Sequence, residues 1–158
     1  MTDHFSIVER AALDLVRDHI ENKATYFTVP TKQITASDDS ILGEGFTYFL
    51  ISFPSTFPVV PMGTGVLEVA WMIPLELFVR FSTHKETWAK FKAFRSDLFN
   101  LFNTTPKGRT LNRTAGVRDT LLASAGEPIF YGEEDTPSDP VFFSQRLELS
   151  VFYKINRT

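Results

Sequence analysis

The chain has 158 residues, a length that suits one domain able to bury roughly two-thirds of the surface its unfolded form exposes. Sixteen Lys and Arg against nineteen Asp and Glu give a formal net charge of -3, which excludes binding of nucleic acid over the whole surface or of membranes through a polybasic face. The absence of cysteine excludes a disulfide framework, a thiolate nucleophile and a Cys-ligated zinc, and fits a cytosolic origin.

Phe5 to Asn22 predicts an amphipathic helix. Ile7, Val8, Ala11, Ala12, Leu15, Val16 and His19 recur at spacings of three and four, and Ser6 with Glu9 forms a capping box at its start. Its charged residues run throughout, without the apolar run and small-residue cleavage site of a signal peptide. From Tyr26 to Ser40 the periodicity fades into loop around at most one short strand, and Thr47 to Phe53 reads as a strand closed by Pro54. The tract from Phe53 to Gly65 is expected to be a long connection.

Leu67 to Phe81 is the clearest strand, because every odd position is apolar. Pro74 at its middle lacks a ladder donor and predicts an edge position, a bulge or a bend. The strand is longer than so small a domain needs, so part of it is expected to reach beyond the core and pair with a neighbour. It is also too short, and too interrupted by Glu68, Pro74, Glu76 and Arg80, to cross a bilayer as a helix, so no membrane partner is expected.

Thr83 with Glu86 then marks a second capping box, followed by a helical stripe of Trp88, Phe91, Phe94, Leu98, Leu101 and Phe102 that ends between Asn103 and Gly108. Thr120 to Ala123 is compatible with strand or helix, and Phe143 to Ile155 alternates as a last strand. The order of elements predicts an α+β domain, a mostly antiparallel sheet with two main helices packed on one face. Sixteen Phe suit either such a core or surface buried between subunits.

A search for chemistry returns little. His4, His19 and His84 have no partner at metal-ligand spacing, no Gly-x-Ser-x-Gly elbow occurs, and the pairs Gly43/Gly45 and Gly63/Gly65 lack the rest of a phosphate loop. No catalytic residue, metal or cofactor is therefore assigned, and an enzyme is not expected. Two charged stretches remain. Lys107, Arg109, Arg113 and Arg118 form a basic segment suited to phosphates, or else an exposed connection. Glu133, Glu134, Asp135 and Asp139 form an acidic loop without the spacing of an EF-hand.

Taken together, the helix ERAALDLVRDHIENK, the strand TYFLISFP, the block LEVAWMIPLELFVRFSTHKETWAKFKAFRSDLFNLF and the C-terminal block TLLASAGEPIFYGEEDTPSDPVFFSQRLELSVFYKI resemble the lambda-type tail terminators of long-tailed bacteriophages. The likeness covers nearly the whole chain and rests on element order and residue texture. It implies a non-enzymatic virion protein of the tail, assembled in the host cytoplasm. Such a protein forms a homo-hexameric ring that caps the tail tube, ends tube polymerisation and meets the head-tail connector, while genomic DNA passes through the lumen without sequence recognition. Within that expectation Lys107, Arg109, Arg113 and Arg118 face the lumen, and Glu133, Glu134, Asp135 and Asp139 contact a neighbouring subunit or the connector. The rivals are a related connector or minor tail subunit and, from another class, a small domain holding an apolar ligand between helices and sheet.

Overall fold

The computed structural model describes residues 4–22, 34–36, 48–52, 59–61, 65–80, 83–131 and 142–156. Its elements in chain order are α1 (His4–Asn22), β1 (Ile34–Ala36), β2 (Tyr48–Ser52), β3 (Val59–Pro61), β4 (Val66–Arg80), α2 (His84–Thr104), α3 (Pro106–Arg109), β5 (Val117–Ser124), β6 (Ile129–Tyr131) and β7 (Phe142–Asn156). The fold is α+β.

The sheet is organised by two strands of 15 residues, β4 and β7, which pair antiparallel from Val66 opposite Asn156 to Arg80 opposite Phe142. Short strands flank this ribbon. On the outer side of β4 lie β3, antiparallel to Val69–Leu67, and β2, antiparallel to Val79–Leu75, with β1 parallel to β2 beyond. On the outer side of β7 lie β6, opposite Ser144–Phe142, and β5, opposite Tyr153–Leu147. Within the chain, β7 pairs with β4 over the whole length of β4.

Pro74 is accommodated by the ladder geometry. Lys154 N–H donates to Gly116 O and Ala125 N–H donates to Arg146 O, so the even positions of β7 turn their backbone groups toward β5 and away from β4. Glu148 belongs to that set, and it stands opposite Pro74. The missing N–H of Pro74 therefore points to the other side of β4, between Val69, where β3 pairing ends, and Leu75, where β2 pairing begins. Neither an edge nor a bulge is needed: a proline sits inside a sheet where one neighbouring ladder is interrupted.

The odd positions of β4 from Val69 to Val79 are buried, and they join Val8, Ala12, Leu13, Leu15 and Val16 of α1, Phe91, Phe94, Leu98, Leu101 and Phe102 of α2, and Leu147, Leu149 and Val151 of β7 in one core. Both main helices therefore cover the same face. Thr83 caps α2, its Oγ1 accepting from Glu86 N–H at 3.1 Å. His84, at the first turn of α2, lies edge-on to Phe130 at 4.5 Å and beside Phe143 at 5.4 Å, in an aromatic cluster that Trp88 and Phe91 complete.

Several local expectations are corrected or decided. α1 begins before Ser6, which lies inside the helix and cannot cap it, and Ile7 is exposed while Leu13 is buried. The connection after Phe53 contains β3, because Val59 to Pro61 adds to the free side of β4. Thr120 to Ala123 is strand, part of β5, since Thr120 and Leu122 face the core while Leu121 and Ala123 face out.

Candidate functional site

The basic segment is a built corner rather than a loose connection. Thr105 closes α2 and opens α3: its hydroxyl donates to Leu101 O at 2.6 Å and accepts from Gly108 N–H at 3.0 Å, and Pro106 follows as the first helical residue. After one turn the chain ends α3 in a Schellman arrangement. Asn112 N–H donates to Lys107 O at 2.7 Å and Leu111 N–H to Gly108 O at 3.1 Å. The left-handed residue this motif requires is Leu111, at φ 48°, and Asn112 and Arg113 continue left-handed at 56° and 62°. Glycine is the usual occupant, since a left-handed conformation costs other residues about 1–2 kcal/mol. Leu111 holds it because its side chain is fully buried in the core.

The corner is fastened to β5 at three points. The Thr120 hydroxyl lies 2.8 Å from Phe102 O and 3.1 Å from Gly108 O, within donating distance of both. The Asn103 side chain meets the outward backbone of Leu122 as a strand would, its Nδ2 donating to Leu122 O at 2.9 Å and its Oδ1 accepting from Leu122 N–H at 2.7 Å. Asp119 accepts from the Arg109 guanidinium through both oxygens, at 2.9 and 3.2 Å, and from Thr120 N–H at 2.9 Å. The hydrogen bond from Arg109 holds the Asp119 carboxyl below its ordinary range, so what the contact adds is present at neutral pH and fades as pH falls through that lowered value. The groups concerned are largely in solvent, and the contact orients more than it stabilises.

These contacts divide the basic set. Arg109 is committed to Asp119. Lys107 and Arg113 are exposed and, with Pro106, Thr110 and Asn112, line a recess of about 540 Å³. Arg118 is exposed on β5, beside the register shift between Val117 and Asp119, and is not among the residues lining that recess. Glu133, Glu134, Asp135 and Asp139 lie outside the described residues, as do 43–45, 63 and 64. Among the described residues no group of three His, Asp or Glu side chains is placed to hold a metal, and no helix is long and apolar enough to cross a membrane.

A second feature is the sheet face turned away from the helices. Met72, Leu121 and Phe152 are 53, 52 and 37% exposed there. Met72 and Leu121 flank Ser150 in one row across β4, β7 and β5, and Ala70 stands opposite Phe152 in the next. Charged cross-strand pairs bound the band along the ribbon, Glu68 opposite Lys154 and Glu76 opposite Arg146. The outer edge of β5, by contrast, is occupied at Thr120 and Leu122 by the side chains of Asp119 and Asn103.

Two residues that tie the elements together were silent in the sequence. Asn103 read only as part of a helix stop. Gln145 looked like one more position of an alternating strand, yet it is buried and joins β7 to α2 and to the β5–β6 connection, accepting from Arg95 of α2 at 2.9 Å and donating to Gly126 O at 2.7 Å. Only its place in the buried register of β7 could have marked it. Replacing Asn103 by alanine should lower stability by about 1–2 kcal/mol, since two edge hydrogen bonds are lost together. It should also speed exchange of the Leu122 amide; a Leu122 amide that stays equally protected would contradict the edge assignment.

Compared with known proteins, the sequence matches no protein-family model and no curated protein.

Proposed function

We propose that this chain is a non-catalytic assembly subunit of the tail-terminator kind, forming a homo-hexameric ring that caps a phage tail tube and presents a joining surface to the head-tail connector. The observation that carries the reading is the open sheet face, an apolar band between two charged rows. A ring needs a heterologous contact, in which one patch meets a different patch on the next subunit, and a seam with an apolar centre and a polar rim. The band centred on Met72, Leu121 and Phe152 has that composition. Strand addition at β5 is disfavoured by the side chains that occupy its edge, and the apolar face is the candidate seam. The basic corner, apart from this band and on an otherwise acidic chain, suits the surface past which DNA would move: local positive charge accommodates phosphates without reading sequence.

The test is the double variant Met72→Glu with Leu121→Glu. Both side chains are exposed, so the monomer should keep its far-UV spectrum and thermal midpoint, while two carboxylates in a desolvated seam should abolish assembly. A variant that assembles as the parent does would remove the face from the seam.

A further inference from the structure

We infer that the recess formed by Lys107, Thr110, Asn112 and Arg113 is a binding site for a phosphate group. The inference deepens the DNA-passage side of the proposed function, and it can be tested on the subunit whether or not a ring forms.

Among the described residues its lining supplies donors and no carboxylate. Among the described residues neither Lys107 nor Arg113 has an ion-pair partner, whereas Arg109, two residues from Lys107, is held by Asp119. An ammonium, a guanidinium fork and a carboxamide around one concavity form a set that matches a tetrahedral oxyanion.

The cap itself gives a second reason. In a Schellman motif the third-from-last helical position and the second residue beyond the cap ordinarily close on each other through an apolar contact. Here those positions are Lys107 and Asn112, and both line the recess instead. The third reason is strain. Leu111 is repaid for its left-handed backbone by burial, but Arg113, at φ 62°, is exposed and has no such packing. Strain kept without a packing gain points to a use for the side chain. The amides of this turn cannot serve as the anion site, because those of Leu111, Asn112, Arg113 and Thr114 are spent on Gly108 O, Lys107 O, Thr110 Oγ1 and Thr110 O. Side chains must therefore do the binding, on a platform fixed by Thr105 and Leu111.

The same chemistry suits a free phosphate ion or the backbone of DNA, and two probes separate them. Inorganic phosphate, titrated against chloride at equal ionic strength, should shift the backbone amide resonances of Lys107, Thr110, Asn112 and Arg113. A mixed-sequence DNA duplex should bind with a salt dependence set by two neutralised phosphates, about a tenfold loss of affinity between roughly 50 and 200 mM salt. Lys107→Gln and Arg113→Gln should each weaken binding of the responsive probe about tenfold, the scale of one charge-assisted hydrogen bond, while Lys85→Gln on α2 should not. A response to phosphate without one to duplex keeps the site and assigns it to the free ion.

Arg113→Gly separates binding from structure. It should lose affinity yet leave the thermal midpoint unchanged or higher, because glycine relieves the left-handed backbone. Two results would overturn the inference: phosphate shifts no larger than those of chloride, or an Arg113→Gly variant that is destabilised and binds phosphate as the parent does.

Discussion

Replacing Gly108 by alanine should destabilise the protein by about 3 kcal/mol or more, at the upper end of what overpacking costs. The usual expectation has the opposite sign, since alanine in place of glycine within a helix gains about 1 kcal/mol. Here a Cβ on residue 108 would lie 1.7 Å from Leu101 O and 2.5 Å from Leu101 C, both backbone atoms of α2. Neither can rotate aside. Relief requires α3 to move off α2, which breaks the hydrogen bond from Thr105 to Leu101 O, draws Gly108 O away from Thr120 and lifts Leu111 from the core. A fall in the urea midpoint at unchanged slope would record this, and a midpoint that rises would show that the α2–α3 contact is looser than described.

Leu111 should give an effect of similar size. Its side chain is fully buried at the end of α3, so Leu111→Ala should cost about 3–4 kcal/mol through lost transfer energy and the cavity left behind. Leu111→Gly removes slightly more side chain but relieves the left-handed backbone, which is worth about 1–2 kcal/mol, so the two variants should lie close together. At an ordinary buried helical leucine, glycine would be clearly the worse. A Leu111→Gly variant well below Leu111→Ala in urea unfolding would contradict the backbone assignment.

The sequence revealed the parts whose burial is periodic and concealed those made by single contacts across the fold. β4 was legible because one of its faces is closed by helices, which imposes apolar residues at every second position. α2 was legible from Phe91 to Phe102 for the corresponding reason at helical spacing. The accommodation of Pro74 was not, because it depends on where β2 and β3, far off in sequence, stop and start along β4. The left-handed turn at Leu111 to Arg113 carries no glycine to announce it. The basic segment was visible as charge, but its division was not: a carboxylate ten residues along the chain takes Arg109 and leaves Lys107 and Arg113 to share a recess. The acidic set from Glu133 to Asp139 lies outside the described residues, so its assignment to an interface still rests on the resemblance.

The proposed ring closes through the open sheet face of each subunit. Native mass across the accessible concentration range, followed by negative-stain imaging of the heaviest species, tests it most directly. The expected result is a hexamer with a central hole, converted to monomer by Met72→Glu with Leu121→Glu. A protein that stays monomeric or dimeric at every concentration, or a larger species without a hole, would contradict it.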